Sequence, residues 1–249
     1  MNGAAQPDAD YFAVMAARAT GHWWYVARRE LFRQLLAGRV QPGATALDVG
    51  CGTGETMAVL RQLGAHRVAG TDLSENALAY ARHHPQGAVL AATAEQLPFA
   101  DGCADVLVSS DVLEHLSDDR RALREYRRVL KPGGLLLVTV PSYQWLWCAH
   151  DVRAGHRRRY RLAELTAAVG SAHFRVERSS YFFSYLVPPA IALRRTPLGR
   201  LTADTDEAAS AGRVSSAVLS RLGSVERVVL RRHSIPFGLS QVMLASAIG

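Results

Sequence analysis

Residues 46–55 read ALDVGCGTGE, and this segment constrains the fold more than any other part of the chain. Residues 46–49 have the composition of a buried strand, and residues 55–63 have a helical pattern. Glycines lie between them, as is required where a backbone meets a ligand closely or adopts positive φ. The amides of such a turn and of the helix that follows form a polar nest. The strand–turn–helix context therefore predicts a site for a nucleotide-like ligand that carries a ribose.

The cysteines and the composition exclude several classes of protein. Cys51, Cys103 and Cys148 are odd in number and lack the spacing of metal ligands, so the sequence predicts neither a disulfide framework nor a metal site. The longest apolar stretch, residues 181–193, is too short to span a bilayer. Residues 1–10 lack a signal pattern, so we expect a cytoplasmic protein without a stable membrane anchor. The net charge of +7 indicates either anionic partners or a solvated basic surface.

Short apolar runs alternate with helical patterns along the chain. Strands are predicted at residues 46–49, 67–71, 88–91, 106–109 and 135–140. Helices are predicted at residues 55–63, 74–83 and 118–130. This alternation predicts an α/β fold with a doubly wound parallel sheet, in which ligands bind beyond the carboxyl ends of the strands.

Asp72 follows the second predicted strand, eighteen positions after Gly54. This offset suits a carboxylate that accepts hydrogen bonds from both ribose hydroxyls. The alternative is a turn residue that precedes the helix starting at Ser74. The pairing of Asp72 with the glycine turn favours the ribose role.

Five motifs in order extend the pattern beyond the glycine turn. They are LDVGCGTG at residues 47–54, GTDLS at 70–74, AEQLPF at 94–99, DVLEHL at 111–116 and VLKPGG at 129–134. Together they resemble the class I S-adenosylmethionine-dependent methyltransferases, in particular the small-molecule group that includes the ubiquinone-biosynthesis C-methyltransferases. A nicotinamide dehydrogenase is disfavoured because Gly-x-Gly-x-Gly replaces Gly-x-Gly-x-x-Gly.

The resemblance implies a doubly wound, seven-stranded, mostly parallel sheet of the Rossmann-like methyltransferase type. S-adenosylmethionine is the implied cofactor and S-adenosylhomocysteine its product. The motifs assign cofactor contacts to Asp48, Gly50, Cys51, Gly52, Gly54, Asp72, Leu73, Thr93, Ala94, Glu95, Ser110 and Asp111. The glycine turn would surround the methionine portion of the cofactor. Asp72 would bind the ribose, and Leu73 would contact the adenine face. One departure is Thr93, where such enzymes carry Asp; a hydroxyl is a weaker acceptor for the adenine amino group.

Methyl transfer from a sulfonium depends largely on positioning, and only a nucleophile that carries a proton needs a base. His115 is the leading base candidate because it follows the fourth strand, and the alternative is a helix-entry residue that bonds to backbone. His156 and His150 are weaker candidates in the loop after the fifth strand. Tyr160 is the remaining catalytic candidate.

Residues 11–38 form a predicted helical cover with four consecutive ring residues, His22 to Tyr25. Four successive rings cannot share one helix face, so Trp23 is expected in the core. The resemblance places such helices over the cofactor, so Trp24, Tyr25 and Arg28 are predicted to close the site. Arg28 is a candidate partner for the cofactor carboxylate.

Residues 153–161 contain five arginines and follow an aromatic segment. Arginine forks suit carboxylates and phosphates, so Arg157 and Arg158 are predicted to bind an anionic group of the acceptor, between walls formed by Tyr143 and Trp147. Aromatic residues among arginines also suit nucleic acid, but no RNA-binding module is evident. A solvated basic loop is the third alternative.

We expect a single domain over residues 1–249. Its parts are a cover (1–40), a cofactor-binding core (41–180), an insertion (181–235) and a last strand (236–249). The last strand is predicted at 241–247, antiparallel to its neighbours. The insertion contains a polar linker at 202–212 and a helix at 215–232, and it is predicted to be a lid rather than a homodimer contact or a membrane-facing patch.

The sequence thus predicts methyl transfer to oxygen or nitrogen of a metabolite or natural product with an acidic group, and O-methylation of a carboxylate or hydroxyl is slightly preferred. No nucleic acid partner is expected. The alternative is a catalytically idle protein of the same fold that binds a partner or nucleic acid through residues 153–161.

Overall fold

A computed structural model describes residues 21–83, 86–195 and 213–249. Residues 11–20 of the predicted helical cover and the predicted linker at 202–212 lie outside the described residues.

Seven strands form one sheet in the order β3-β2-β1-β4-β5-β7-β6. They are β1 (Thr45–Val49), β2 (Arg67–Asp72), β3 (Ala88–Ala91), β4 (Ala104–Ser110), β5 (Leu130–Pro141), β6 (Phe174–Phe182) and β7 (Ser240–Ala247). The pairs among β1 to β5 are parallel, and β7 is antiparallel to both β5 and β6. The predicted fold class and the antiparallel last strand are confirmed.

Eight α-helices surround the sheet in the described segments. They are α1 (Trp23–Leu36), α2 (Glu55–Gln62), α3 (Glu75–His83), α4 (Asp119–Val129), α5 (Ala149–Arg153), α6 (Leu162–Ser171), α7 (Val187–Arg195) and α8 (Arg213–Arg232). None of these helices has both the length and the apolar character needed to cross a membrane.

The central strands bury both faces, as a parallel sheet covered by helices requires. Ala46 packs in one core cluster with Leu31 of α1. Leu47, one position along, packs in the opposite cluster with Leu123 of α4. Successive residues of a strand point to opposite faces, so the near-continuous apolar sequence of β1 follows from its position at the centre.

Helix starts follow local capping chemistry. Ser74 Oγ accepts from the Ala77 amide at 3.3 Å, at the helix start that the sequence predicts. The side chain of Asp118 caps α4 by accepting from the Arg121 amide at 2.9 Å. Each carboxylate or hydroxyl satisfies an amide that has no intrahelical partner.

Strand β5 begins earlier than the sequence predicts. Ala104 pairs with Leu130, and the regular register resumes at Val106 and Leu135. The intervening Lys-Pro-Gly-Gly forms a β-bulge-like irregularity within β5. This irregularity lets a sequence that favours a turn remain beside β4.

The insertion packs on the helical cover. Gln34 Nε2 of α1 donates to the Arg227 carbonyl of α8 at 3.0 Å. Glu226 accepts from the backbone amides of Phe183 and Ser184, each at 2.7 Å, and so joins α8 to the end of β6. The described parts of the cover and of the insertion thus support each other at one face of the sheet.

Candidate active site

The glycine turn leaves β1 at its carboxyl end and leads into α2. Gly50, Gly52 and Gly54 have φ angles of 73°, 52° and 90°, a region that other residues avoid. A Cβ atom on Gly50 would lie 2.3 Å from Val112 Cγ2, so this position also needs glycine for space. The amides of Gly50 and Cys51 both donate to the Thr71 carbonyl, at 2.7 and 2.9 Å, which fixes the turn against β2.

Asp72 connects the turn to the end of β2. Its Oδ2 accepts from the Gly52 amide and its Oδ1 from the Ser74 amide, both at 2.9 Å. Asp72 thus supports the glycine turn and the start of the next helix. Each of its carboxylate oxygens keeps a lone pair that can accept a hydrogen bond from a ligand hydroxyl. Leu73 beside it is 57% exposed, which presents an apolar surface next to the carboxylate.

Asp48 is buried directly below the turn. Its carboxylate accepts from the Met57 amide in the first turn of α2. Its Oδ2 has no hydrogen-bond partner among the described residues. Burial and the nearby Asp72 carboxylate raise the pKa of Asp48 to about 7, and burial beside the same two acids raises the pKa of the Cys51 thiol. An acidic group of this kind is poised to receive a cationic ligand.

The residues predicted at the adenine edge lie after β3. Ala94 is 5% exposed, and Thr93 Oγ1 accepts from the Glu95 amide at 3.3 Å. Glu95 in turn accepts from the Asp118 amide at 3.2 Å, at the start of α4. The Thr93 hydroxyl therefore shapes a local turn, and the carboxylate of Glu95 holds α4 in place.

Asp111 sits at the end of β4 in the left-handed region, with φ of 55°. It forms an ion pair with Arg28 of α1 and accepts from Thr139 Oγ1 at 3.1 Å. Ser110 Oγ shares a hydrogen bond with the same threonine at 2.9 Å. The predicted meeting of the cover with the carboxyl edge of the sheet is thus present, although the partner of Arg28 in the structure is Asp111.

The aromatic residues of α1 pack against the end of β6. Trp23 is 2% exposed, so its predicted core position is confirmed. Trp24 stacks on Phe183 with ring centroids 4.0 Å apart, and Tyr25 lies under the Arg28 guanidinium at 5.5 Å. Trp24 is therefore part of the packing between cover and sheet, while the role of Tyr25 and Arg28 in closing the site stays a prediction.

His115 and His156 are brought together although they are far apart in the chain. Their ring centroids are 4.8 Å apart, and His150 lies 5.9 Å from His156. Burial and the neighbouring His156 lower the pKa of His115 to about 4. His115 is consequently neutral near pH 7, which is the protonation state that a general base requires, although such a low pKa makes it a weak base.

Glu114, which the sequence did not single out, is fully buried beside these histidines. Neither of its carboxylate oxygens has a hydrogen-bond partner in the described part of the chain. Burial, together with the Asp111 charge, raises the pKa of Glu114 well above its usual range. The available signal was an acidic residue that lies, next to His115, among the apolar residues of segment 112–116.

Tyr160 holds the arginine-rich loop against the end of β4. Its hydroxyl donates to Asp119 Oδ2 at 2.7 Å and lies 3.2 Å from the Leu113 carbonyl. The side chain is 4% exposed, and burial together with the Asp119 carboxylate raises the pKa of the phenol. These contacts argue against the predicted catalytic role, because the hydroxyl faces the interior.

The arginines at 157–159 are largely used within the protein. Arg157 Nε donates to the His115 carbonyl at 3.0 Å, and Arg158 Nη2 donates to the carbonyls of Leu116 and Ser117, each at 3.0 Å. Arg159 grips the buried Asp151 with two hydrogen bonds of 2.7 and 2.8 Å. The predicted anion site at Arg158 is therefore not supported, whereas exposed Arg157 keeps unused N–H donors among its described contacts.

An aromatic wall follows β5. Tyr143, with φ of 58°, stacks on Tyr181 at 5.2 Å and on Trp145 at 5.6 Å. Trp145 is 56% exposed, while Trp147 is partly buried. Burial and the hydroxyl of Tyr181 raise the pKa of Tyr143, so its phenol is neutral near pH 7. The wall offers an apolar surface beside the arginine-rich loop.

Comparison with known proteins agrees with this geometry. Residues 47–138 match a family model described as a methyltransferase domain. A Mycolicibacterium smegmatis protein named "Probable S-adenosylmethionine-dependent methyltransferase" is 34% identical over 162 residues, which are 64% of this chain and 62% of the relative. A malonyl-[acyl-carrier protein] O-methyltransferase of Pectobacterium atrosepticum is 40% identical over 95 residues, 38% of this chain and 37% of the relative. The chain thus spans less than two thirds of the length of each relative.

Solved structures share the fold. A chain from the complex of the Haloferax volcanii Trm112 methyltransferase activator with its methyltransferase aligns over 96% of this chain and 98% of its own length, with a TM-score of 0.64 and 22% identity. The strand order and the glycine turn define an α/β domain of the Rossmann-like methyltransferase type. The match to the methyltransferase domain covers residues 47–138, a segment that contains the glycine turn, Asp72 and the end of β4.

Proposed function

We propose that the chain binds S-adenosylmethionine at the glycine turn and transfers its methyl group to an oxygen or nitrogen of a small molecule that bears an acidic group. The observation that carries the cofactor assignment is the pairing of Asp72 with the Gly52 amide at 2.9 Å. This contact joins the two elements that would hold the ribose and the methionine portion.

The residues present fit this cofactor. Asp48 has an unpartnered oxygen under the turn, and Leu73 offers an exposed apolar face beside Asp72. When bound, the cofactor would supply a methyl group already activated by a sulfonium, and the nearby carboxylates would favour its positive charges. Arg28 would be available to its carboxylate if the ion pair with Asp111 opened or was shared.

The acceptor side is supported by the chemistry of the loop after β5. Tyr143 and Trp145 provide an aromatic wall, and Arg157 is an exposed cation that keeps N–H donors. A carboxylate acceptor would need no base, whereas a hydroxyl acceptor would use neutral His115. The Pectobacterium relative is named as an O-methyltransferase, which supports oxygen as the preferred atom.

The alternative of an idle protein that binds a partner through residues 153–161 is less well supported. The guanidinium groups of Arg158 and Arg159 are engaged by protein carbonyls and by Asp151. A surface that binds anionic partners needs guanidinium groups with free N–H donors, and the guanidinium groups of Arg158 and Arg159 already form hydrogen bonds within the protein.

The test is methyl transfer from isotopically labelled S-adenosylmethionine to a panel of small carboxylic acids, phenols and amines. The proposal predicts labelled methyl ester or ether with at least one acidic acceptor, and loss of the label transfer in Asp72→Asn. Glu75→Gln, an exposed acidic residue on the next helix, is the matched control and should retain the activity. Cofactor binding without transfer to any acceptor would favour the idle protein.

A further inference from the structure

We propose that Glu114, His115 and His156 form a binding site for one first-row transition-metal dication of the Zn²⁺ type. One ligand atom of each residue lies within 4.8 Å of the others, a spacing that small side-chain movements can close around an ion. Glu114 and His115 come from the short helix after β4, and His156 comes from the loop after β5. Two separate parts of the chain therefore converge on one point.

The carboxylate of Glu114 is the strongest reason for an ion. It is 0% exposed, and neither oxygen has a hydrogen-bond partner among the described residues. A buried polar group without a partner is costly, and coordination of a metal ion is one way in which a buried carboxylate gains a partner. The neighbouring acids already have ion-pair partners: Asp111 pairs with Arg28, and Asp151 pairs with Arg159. Glu114 is thus the acidic residue of this cluster that forms no ion pair and no side-chain hydrogen bond with the described residues.

His156 is oriented as a metal ligand would be. Its Nδ1 lies 2.7 Å from Asp151 Oδ1, and Asp151 is itself held by Arg159 and by the Cys148 amide at 2.8 Å. A carboxylate at Nδ1 keeps the proton on that nitrogen and leaves the lone pair of Nε2 free. This carboxylate–histidine pairing is the common second layer of metal sites, where it fixes the tautomer and the ring orientation.

The donor set selects the kind of ion. Two imidazoles and one carboxylate suit Zn²⁺, Fe²⁺ or Co²⁺, whereas Mg²⁺ and Ca²⁺ prefer sites made of oxygen. Three protein ligands leave at least one coordination position open for water or another ligand. The cysteine spacing predicts no metal site, whereas the signal for this one is an adjacent Glu-His pair with a second histidine far along the chain.

The test uses the full chain freed of metal by a chelator and then titrated with Co²⁺, followed by its visible absorption, and with Zn²⁺ by calorimetry. The wild-type protein should bind one ion per chain. Glu114→Gln and His156→Gln should each weaken binding at least about tenfold, since each removes a ligand. His66→Gln makes the same histidine substitution at an exposed position and should bind like the wild type.

Folding is checked separately in each variant. Glu114→Gln replaces a buried carboxyl group by an amide of nearly the same shape, so its metal-free melting temperature should stay close to that of the wild type. Absence of one-to-one binding by the wild type would overturn the site. Equal binding by wild type, Glu114→Gln and His156→Gln would also overturn it. Neither outcome depends on methyl transfer, so the metal site and the proposed function fail independently.

Discussion

Asp72 Oδ2 accepts a hydrogen bond from the Gly52 amide at 2.9 Å, which ties the end of β2 to the glycine turn. The same carboxylate holds the Ser74 amide, so one side chain positions both the turn and the start of α3. A site assembled in this way costs little reorganisation when its ligand binds. The glycine turn and Asp72, the last residue of β2, thus act as one unit.

Gly50 should be the least replaceable residue of the turn. In Gly50→Ala the new Cβ would lie 2.3 Å from Val112 Cγ2 in a backbone with φ of 73°, whereas Gly52→Ala meets nothing within 4 Å. We expect Gly50→Ala to lower the free energy of unfolding by roughly 2–4 kcal/mol and Gly52→Ala by about 1 kcal/mol in urea denaturation.

The clash can be relieved by a second change. Val112→Ala removes the methyl group that the Gly50→Ala side chain would meet, so the double variant should recover part of the lost stability. Equal losses for Gly50→Ala and Gly52→Ala, or no recovery in the double variant, would show that the contact with Val112 is unimportant.

Asp48 should make stability depend on pH. Its pKa in the folded protein is raised from 3.8 to about 7, so the folded state holds a proton more tightly than the unfolded chain does. The resulting stability is fully present below about pH 4 and is lost as the pH rises through 7. Relative to Asp48→Asn, the wild type should lose roughly 2–4 kcal/mol between pH 4 and pH 8.

Urea denaturation of both proteins at several pH values measures this difference. The comparison with Asp48→Asn cancels the other titrating groups, so a constant difference from pH 4 to pH 8 would contradict the raised pKa. A buried acid that costs stability near neutral pH is typical of a functional site rather than of a supporting core.

Glu226 should fasten the insertion to the sheet. Its carboxylate accepts from the Phe183 and Ser184 amides and from the Ser184 hydroxyl. Glu226→Ala leaves these donors without their acceptor, so we expect a loss of about 2–4 kcal/mol and faster amide hydrogen exchange in α8. Val225→Ala, on a neighbouring side chain that is 64% exposed, should change stability by less than about 0.5 kcal/mol. Similar exchange rates in the two variants would disprove the anchoring role.

Features set by local chemistry were predictable from the sequence. The glycines with positive φ, the Ser74 cap and the strand before each motif depend on residues close together in the chain. The antiparallel last strand was also correct, because the resemblance supplied the order of strands. The start of β5 was missed, since the pairing of Ala104 with Leu130 is a long-range contact across an irregularity.

Side-chain partners in the loop after β5 were not predictable. The arginines looked available for an acceptor, but Arg158 bonds to carbonyls after β4 and Arg159 to Asp151. These contacts form only where two distant segments of the chain meet. Composition therefore does not show which guanidinium groups already form hydrogen bonds within the protein. The same convergence brings Glu114 beside His156, a relation that spacing along the chain conceals.

Calorimetric titration with S-adenosylmethionine and S-adenosylhomocysteine tests the central claim most directly. The wild type and the Glu75→Gln control should bind both compounds at one site per chain. Asp72→Asn should bind more weakly by about 1–3 kcal/mol, because it loses charged hydrogen bonds to the ribose. Failure of the wild type to bind either compound, or an unchanged affinity in Asp72→Asn, would contradict a cofactor site built on the glycine turn and Asp72.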